Sequence, residues 1–360
     1  MPDLVEERSP FAGHGAASLG TVTIDSYNEE LRDGDGYVGD RASKRAFNAI
    51  LQDWRARLRQ RGDDPFGDTP TDRISRKKLD KLLLNGDSEA AGLVHGAIEE
   101  FAQELYAVIR RFLRLKTWRR TQRIAIGGGL RASRIGEIAI GRAGALLKAG
   151  GERVELKPID HDPNEAGLVG SLYMAPSWIF AGYDGILAVD IGGTNIRAGI
   201  VELNLKQAAD LSAGRVAISE IWRHADDKPG RDDAVERLIA MTRDLVKKAD
   251  KAKLRLAPFI GVACPGIICE DGAIKRGGQN LPGNWESSRF NLPKTLRNAI
   301  AIVEGHETVV VMHNDAVVQG LSEIPAMRDV ERWGVLTIGT GLGNARFTNR
   351  SRGNDAARSA

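Results

Sequence analysis

The sequence predicts an α/β protein, because segments with the pattern of buried strands alternate along the chain with segments of helical pattern. Two apolar stretches that end in glycine turns, ILAVDIGGT (186–194) and WGVLTIGTG (333–341), give the clearest strand signals. The clearest helix lies within 87–115, where apolar side chains recur every three or four residues. A chain of 360 residues is long enough for two domains, each with its own core.

The other elements can be assigned in order along the chain. A strand is predicted at 21–25 and helical pattern begins at 37, broken by Pro, Gly and Asp in 61–72. Asp87 or Ser88 is well placed to cap the long helix, and basic residues suit its C-terminal end. The later predicted elements are a strand and glycine turn at 123–130, a helix at 135–150, a strand at 153–159, a helix at 164–176, two strands within 186–203, a helix at 232–250, a strand at 258–266, a helix near 293–303, a strand at 308–315, a helix from 316, two strands within 333–349 and a disordered tail at 351–360.

Composition and charge exclude several classes of protein. The 51 basic and 48 acidic residues give a net charge of +3, which does not favour nucleic acid or an anionic membrane as main partner. The two cysteines, Cys264 and Cys269, are too few for a disulfide framework or a four-cysteine zinc site. No apolar run approaches bilayer length, and the first residues lack the pattern of a signal peptide, so the expected location is cytoplasmic.

Both glycine turns have features of a phosphate site. In DIGGTNIRAGIV, Gly192 and Gly193 allow backbone conformations barred to other residues and let main-chain N–H groups approach an anion. Thr194 adds a hydroxyl donor, and Asp190 ends the strand where it could hold a metal-bound water. The turn GTGLGNA, which begins at Gly339, repeats the glycines and the threonine. One such hairpin is weak evidence, since hairpins need glycine in any case, but two suggest paired clamps on one polyphosphate.

A candidate catalytic carboxylate lies in VVVMHNDAVVQG, where an apolar strand delivers His313, Asn314 and Asp315 to its C-terminal end. A carboxylate there can accept the proton of an attacking hydroxyl during phosphoryl transfer. The alternative is that Asn314 or Asp315 only caps the helix from Ala316. If the strand continues, His313 faces away from Asp315, and we interpret it as structural.

Between these motifs lies a polar loop, CPGIICEDGAIKRGGQNLPGNW (264–285). Asn280, with Gln279 and Asn284 nearby, supplies side-chain amides that both donate and accept hydrogen bonds. Sugar hydroxyls need both kinds of partner, so the loop is a candidate sugar site. The alternative is an ordinary loop rich in glycine and proline.

Together these motifs resemble the sugar kinases of the actin-like ATPase superfamily, specifically the ROK group and its bacterial glucokinase relatives. DIGGTNIRAGIV is similar to the family's first phosphate motif, and CPGII…NLPGNW to its sugar-binding loop. NDAVVQGLSE is similar to the segment with the catalytic Asp, and LTIGTGLGNA to the second phosphate motif. The four motifs occur in the family's order between 186 and 349. The resemblance implies a two-lobed actin-like ATPase fold, also called ribonuclease H-like, with a cleft between the lobes.

Two further motifs stand in a different order from the family's. IAIGGGLRAS (124–133) resembles the adenosine-side motif, and NEAGLVGSLYMAP (164–176) resembles the C-terminal helix. In the family both follow the second phosphate motif, whereas here they precede the first. The order implies a circular permutation, with the usual ends joined through SWIFAGYDG and new ends after the second phosphate hairpin. The large lobe is then 1–177 plus 331–350, and the small lobe is 184–330.

The resemblance implies a role for each candidate residue. Asp315 would be the catalytic base on a sugar hydroxyl, typically the 6-hydroxyl of a hexose. Asn280, Asn314 and His14 would bind the sugar together with Asp315. ATP would be the phosphoryl donor, and Asp190 would help to place Mg²⁺ through a water molecule. The residues that would bind the nucleotide are Asp190, Gly192, Gly193, Thr194, Asn195, Arg197, Gly339, Thr340, Gly341, Gly127, Gly128, Gly129 and Leu130.

The chain departs from the family pattern at two motifs. Many ROK kinases carry a zinc motif of three closely spaced cysteines and a histidine; nothing comparable occurs here, so no zinc is expected. The family's sugar-contacting E-x-G-H segment would fall at PFAGHG, which keeps Gly13 and His14 but has Phe11 at the Glu position. Glu6 or Glu7 could supply the missing carboxylate.

Glucose is the first expected substrate, because NLPGNW is nearer to the glucokinases than to the zinc-containing amino-sugar kinases. Polyphosphate is an alternative donor, since some relatives use it. A non-catalytic sugar-binding regulator is the other alternative, although 1–80 contain no convincing helix-turn-helix and Asp315 is retained. The expected partners are a hexose and a nucleotide, without nucleic acid or membrane, and a homodimer is an inherited expectation.

Overall fold

The computed structural model describes residues 11–350, so Glu6, Glu7 and the predicted tail at 351–360 lie outside the described residues. The strands are β1 Ser18–Leu19, β2 Val22–Tyr27, β3 Arg32–Asp33, β4 Gly36–Tyr37, β5 Arg123–Gly127, β6 Glu155–Pro158, β7 Gly185–Ile191, β8 Ile196–Glu202, β9 Arg215–Trp222, β10 Leu256–Cys264, β11 Ile267–Ile268, β12 Ile274–Arg276, β13 Ile302–Val303, β14 His306–Glu307, β15 Val309–Asn314, β16 Arg332–Ile338 and β17 Leu342–Asn349. The α-helices are α1 Lys44–Arg59, α2 Arg76–Asn85, α3 Ser88–Arg114, α4 Arg134–Ala149, α5 Ala166–Gly170, α6 His224–Asp227, α7 Arg231–Ala252, α8 Leu292–Ala299 and α9 Asp315–Leu321. This mixture of strands and helices confirms the predicted α/β class.

The chain divides into two compact units. Of the described residues, the first contains 11–24, Asn164–Pro325 and 349–350. The second contains Asp25–Pro163 and Ala326–Thr348. Each unit has its own sheet and its own helices, and each is described separately below.

These units differ from the predicted lobes in where residues 164–177 belong. The prediction groups them with the residues before them, whereas in the structure they are part of the first unit. The reason is close packing of α5 against α9: a Cβ added at Gly170 would lie 1.7 Å from the backbone oxygen of Val318. The N-terminal residues join the same unit, since the N–H of Gly15 donates to the carbonyl of Met312 at 3.0 Å.

The first unit is built on a five-stranded sheet in the order β15-β10-β7-β8-β9. Strands β7, β10 and β15 are parallel, and β8 runs antiparallel to both of its neighbours. Every residue of β7 is buried, which explains the unbroken apolar run that marked this strand in the sequence. Buried side chains of α7 and α8 complete a core with the sheet, among them Leu238, Leu245 and Leu296.

The second unit is built on four sheet strands in the order β17-β16-β5-β6. Strands β16, β5 and β6 are parallel, and β17 is antiparallel to β16. Helices α1, α3 and α4 contribute buried side chains to its core, including Leu51, Phe101 and Ile140. The predicted cap of the long helix α3 is confirmed, because Asp87 accepts hydrogen bonds from its first turn.

The two sheets share one connectivity, read from different starting points. Along the sheet, β8-β7-β10-β15 of the first unit correspond to β17-β16-β5-β6 of the second. In both, an antiparallel hairpin is followed in the sheet by two strands parallel to its first member. In the first unit this hairpin comes first along the chain, whereas in the second unit it comes last.

Several short elements escaped the sequence analysis, and so did two of eight or more residues, β9 and α2. Strand β9, RVAISEIW, lies at a sheet edge with alternate residues more exposed, so its apolar pattern is weak. Helix α2, RKKLDKLLLN, is short and basic, and buries only two of its side chains. Within 11–350, no helix combines the length and apolarity needed to cross a membrane.

Candidate functional site

The first unit brings Asp190 and Asp315 to one edge of its sheet. Ala263 of the central strand β10 pairs with Asp190 of β7 on one side and with His313 of β15 on the other. Asp315 follows two residues after His313, as the first residue of α9. Burial raises the pKa of the Cys264 thiol, and the charges of Asp315 and Asp190 raise it further. Both carboxylates are therefore close enough to this thiol to influence its ionisation. The carboxyl ends of the parallel strands thus form an acidic site, at the edge where α/β sheets hold ligands.

The carboxyl group of Asp315 has properties suited to a general base. Burial, and then the charge of Asp190, raise the pKa of Asp315 to about 7. The N–H of Ala316 donates to Asp315 Oδ1 at 2.9 Å, which opposes this rise. A base with a pKa near the working pH is both partly ionised and strong enough to accept a proton.

Asp190 is 1% exposed, and its carboxylate forms an ion pair with Arg197. Arg197 Nη1 lies 3.1 Å from Asp190 Oδ2, and Arg197 Nε donates to Asn164 Oδ1 at 3.1 Å. The two residues are directly opposite each other in the β7–β8 pair, which accounts for the contact. Burial raises the pKa of Asp190 and the charge of Arg197 opposes that rise. Two residues that the sequence analysis assigns to the nucleotide therefore bind each other.

Helix α5 covers this ion pair at Gly167. A Cβ added at Gly167 would lie 2.6 Å from Asp190 Cγ and 2.9 Å from its Oδ1. No side chain fits in that space, so the helix backbone itself closes one side of the carboxylate.

We expect Gly167→Ala to displace the Asp190 carboxylate and to lower the free energy of unfolding by about 1–3 kcal/mol, as overpacking of a buried site does. The matched control is Gly141→Ala in α4, where an added Cβ meets nothing within 4 Å. Alanine there should raise stability by about 0.5–1 kcal/mol. Urea unfolding measures both, and equal effects of the two substitutions would contradict the close contact at Gly167.

The first glycine turn joins β7 to β8 and is closed by a bond from the Gly192 N–H to the Asn195 carbonyl, 2.9 Å long. Neither Gly192 nor Gly193 has a φ in the left-handed region. Position 193 favours glycine through close packing, because an added Cβ would lie 3.0 Å from the Cβ of Asn280. The structure therefore brings Asn280, in the predicted sugar loop, against the predicted phosphate turn next to Thr194.

The side-chain amide of Asn314 forms hydrogen bonds with backbone groups at both its nitrogen and its oxygen. Its Nδ2 donates to the Gly266 carbonyl at 2.9 Å, and its Oδ1 accepts from the N–H groups of Ala316 and Val317 at 3.0 and 3.3 Å. This is an N-cap, and the helix begins at Asp315, one residue earlier than predicted. The capping alternative therefore describes Asn314, and it leaves Asp315 available for other contacts.

His313 is one of the last residues of β15, and His14 binds the neighbouring residue Met312 of that strand. His14 Nδ1 accepts a hydrogen bond from the N–H of Met312 at 3.1 Å, and burial lowers the pKa of His14. His313 is buried, its Nδ1 accepts from the N–H of Asn314 at 2.7 Å, and burial lowers its pKa to about 4. The structural interpretation of His313 fits this position. His14 lies near the carboxyl end of β15, with its Nε2 not engaged by Met312.

The second unit contains the other glycine turn, between β16 and β17. The N–H of Gly339 donates to the carbonyl of Gly341 at 2.9 Å. The N–H of Lys44, first residue of α1, donates to the carbonyl of Gly339 at 2.9 Å, and Arg45 Nε donates to the carbonyl of Thr340 at 3.0 Å. The N-terminal end of α1 therefore lies beside this turn, where its dipole and two basic residues favour an anion.

The predicted adenosine-side segment, Gly127–Leu130, lies next to the same turn. Gly128 has a φ of +86°, and an added Cβ would lie 2.3 Å from the backbone oxygen of Ile338. Both the backbone angle and the close approach require glycine there. An added Cβ at Gly129 would lie 2.7 Å from Arg76 Nη1. Two motifs that are about 210 residues apart in the sequence are thus neighbours within this unit.

Sequence analysis missed three residues of these sites: Gly167, Arg76 and His224. Arg76 is exposed, and within the described part of the chain it forms no hydrogen bond or ion pair. His224 is 3% exposed, with Nε2 2.8 Å from the carbonyl oxygen of Gly192. None of the three stands in a glycine motif, so the sequence carried no signal for them except the basic composition around Arg76.

Possible metal ligands at the first site are few. Among residues 11–350, no group of three or more His, Cys, Asp or Glu side chains is arranged to hold a metal ion. Asp190 and Asp315 supply carboxylate oxygens, the ligands that Mg²⁺ prefers, but one oxygen of Asp190 is taken by Arg197.

Comparison with known proteins gives a partial match to a sugar kinase. No family model matches the chain. The chain is 25% identical over 164 residues to the glucokinase of Thermotoga maritima. The aligned region covers 46% of this chain and 44% of that protein. The chain thus spans about half the length of the curated relative it matches. At the level of sequence similarity, this match confirms the resemblance to a glucokinase over about half of the chain.

Solved structures give similarly partial matches. The ROK hexokinase of Thermus thermophilus is 23% identical, with a TM-score of 0.35. The match covers 47% of this chain and 49% of the hexokinase chain. The PPX-GPPA enzyme of Aquifex aeolicus is 14% identical, with a TM-score of 0.31. The match covers 63% of this chain and 83% of the Aquifex chain. Superpositions with scores this low establish no shared overall fold.

Proposed function

We propose that the protein is an ATP-dependent sugar kinase that transfers the γ-phosphoryl group to a hexose hydroxyl, with the 6-hydroxyl of glucose as the first candidate. The sequence similarity to a glucokinase supports the reaction class. The observation that carries the proposal is Asp315, whose pKa of about 7 and place at the carboxyl edge of the sheet suit a base. In the same unit, a glycine turn and an amide-rich loop meet at Gly193 and Asn280.

In this proposal Asp315 accepts the proton of the attacking sugar hydroxyl as the phosphoryl group is transferred. Asn280 and His14 hold the sugar, with His14 using the nitrogen that Met312 leaves free. The N–H groups of the Gly192–Gly193 turn bind donor phosphate, with Thr194 and Asn195. In the second unit, Gly339–Gly341 binds phosphate and Gly127–Leu130 binds adenosine. We assign no direct sugar contact to Asn314, because its amide caps α9.

Mg²⁺ fits the first site only through water. Arg197 already neutralises Asp190, and Gly167 closes one side of its carboxylate, so direct coordination by Asp190 would require the ion pair to open. A bound Mg²⁺ would neutralise charge on the phosphates of the donor. Asp190 would hold a water ligand of that ion and, with Arg197, would keep the carboxyl edge of the sheet ordered.

We also propose that the fold is a circularly permuted, two-lobed actin-like ATPase fold. The shared connectivity of the two sheets supports this proposal, since the second sheet acquires the order of the first when the chain is read from β16 through the termini to β6. Joining the original ends of a chain and opening it at another loop changes the order of the strands along the chain. The arrangement of the strands within each sheet stays the same. The lobe bounds would follow the compact units rather than 1–177 plus 331–350 and 184–330.

The test is ADP release from Mg·ATP across a panel of hexoses, with phosphate transfer to sugar confirmed by mass spectrometry. Sugar-dependent turnover supports the proposal, and the best hexose names the substrate. A parallel arm replaces ATP with inorganic polyphosphate, which identifies the donor. Sugar binding by calorimetry without turnover on either donor would overturn the kinase proposal in favour of a sugar-binding regulator.

A further inference from the structure

The first glycine turn is held from one side by a segment 30 residues farther along the chain. The Nε2 of His224 lies 2.8 Å from the carbonyl oxygen of Gly192, and the N–H of Ala225 donates to the carbonyl of Thr194 at 3.3 Å. His224 is 3% exposed. Since a carbonyl only accepts, the Nε2 of His224 must carry a proton and donate it.

These two bonds decide where the N–H groups of the turn point. In a trans peptide, the C=O and the following N–H point in opposite directions. When His224 holds the carbonyl of Gly192, the N–H of Gly193 is turned away from His224, and the bond from Ala225 turns the N–H of Asn195 in the same way. Within residues 11–350, neither of these two N–H groups forms a hydrogen bond.

We propose that His224 is a positioning residue for the phosphoryl donor: it fixes the Gly192–Gly193 peptide so that its free N–H faces donor phosphate. This inference rests on the kinase function proposed above. A free glycine peptide would otherwise rotate, because glycine restricts its neighbouring dihedrals least. The bond to His224 removes that freedom before the phosphate arrives, so less ordering entropy opposes binding.

The surroundings of His224 keep its ring in one orientation. The ring packs edge-to-face on Trp222, with centroids 6.0 Å apart. Trp222 is itself held, because its Nε1 donates to Asp227 Oδ2 at 2.6 Å and Arg237 lies over its ring at 4.7 Å. The imidazole is therefore supported by packing that does not depend on a bound nucleotide.

Two substitutions separate the donor N–H of His224 from its packing. His224→Phe keeps an aromatic ring against Trp222 but removes the N–H, and His224→Gln removes the ring but can place an amide N–H near Nε2. We expect the Phe variant to raise KM for ATP and Kd for ADP about three- to tenfold, the effect of one lost hydrogen bond, with kcat and the KM for sugar changing less. The Gln variant should recover most of the loss.

The matched control is His306→Phe, at an exposed position of β14 in the same unit, which should leave all constants unchanged. The inference is overturned if His224→Phe binds ADP as tightly as the parent, or if Phe and Gln weaken binding equally together with the melting temperature, which indicates packing alone. Failure of the proposed function looks different, because the parent protein itself would then neither bind ADP nor phosphorylate a hexose.

Discussion

Asp315→Asn is expected to lower kcat for sugar phosphorylation by about 10²–10⁴-fold, the usual contribution of a general base. The amide keeps the size of the carboxyl group but cannot accept the proton, so the KM for sugar should change little. Steady-state ADP release with the best hexose measures both constants. Asp250→Asn, at an exposed position of α7, is the matched control and should behave like the parent.

The pH profile gives an independent check on Asp315. A carboxyl group accepts a proton only when ionised, so kcat/KM should rise with pH through about 7 and fall tenfold per pH unit well below that value. Because the charge of Asp190 helps to raise the pKa of Asp315, Asp190→Asn should move the midpoint to lower pH. An unchanged profile in Asp315→Asn would show that another group is the base.

Arg197→Met is expected to lower the free energy of unfolding by about 3–5 kcal/mol at neutral pH, because it leaves the Asp190 carboxylate buried without its counter-charge. The double variant Asp190→Asn/Arg197→Met should recover most of this loss, since a neutral amide has a much smaller desolvation cost. Urea unfolding of the parent, both single variants and the double variant gives the coupling between the two side chains.

The pH dependence of the Arg197→Met loss has a definite sign. Burial already raises the folded-state pKa of Asp190, and removal of Arg197 raises it further. A carboxyl group whose pKa is raised by folding destabilises the protein above its unfolded pKa, and the penalty disappears as pH falls below that value. The loss should therefore shrink as pH is lowered from 7.5 toward 4. A loss that is the same at both pH values would contradict burial of the unpaired carboxylate.

Much of the fold was predictable because its signals are local. The buried strands β7 and β16 appear as apolar runs, and α3 as a three-and-four repeat with Asp87 at its cap. The position of Asp315 after an apolar strand was also predictable, because a few adjacent residues determine where that strand ends. Each of these features is determined by residues that are close together in the sequence, within one helical turn or one strand.

The rest depends on contacts between distant parts of the chain. No local pattern could show that Gly167 closes over Asp190, that His224 holds the Gly192 carbonyl, or that residues 164–177 belong to the first unit. The same limit applies to Gly193, because no local pattern could show that Asn280 packs closely against it.

By itself, the sequence determined the α/β class, the order of most of the longer strands and helices, and the residues that could carry phosphoryl-transfer chemistry. Only the tertiary structure decided which of those residues meet: Asp190 with Arg197, Asn280 with Gly193, and Asn314 with its own helix rather than with a ligand. The physical reason is that secondary structure follows from neighbouring residues, whereas burial, charge pairing and close packing are properties of surfaces that folding brings together.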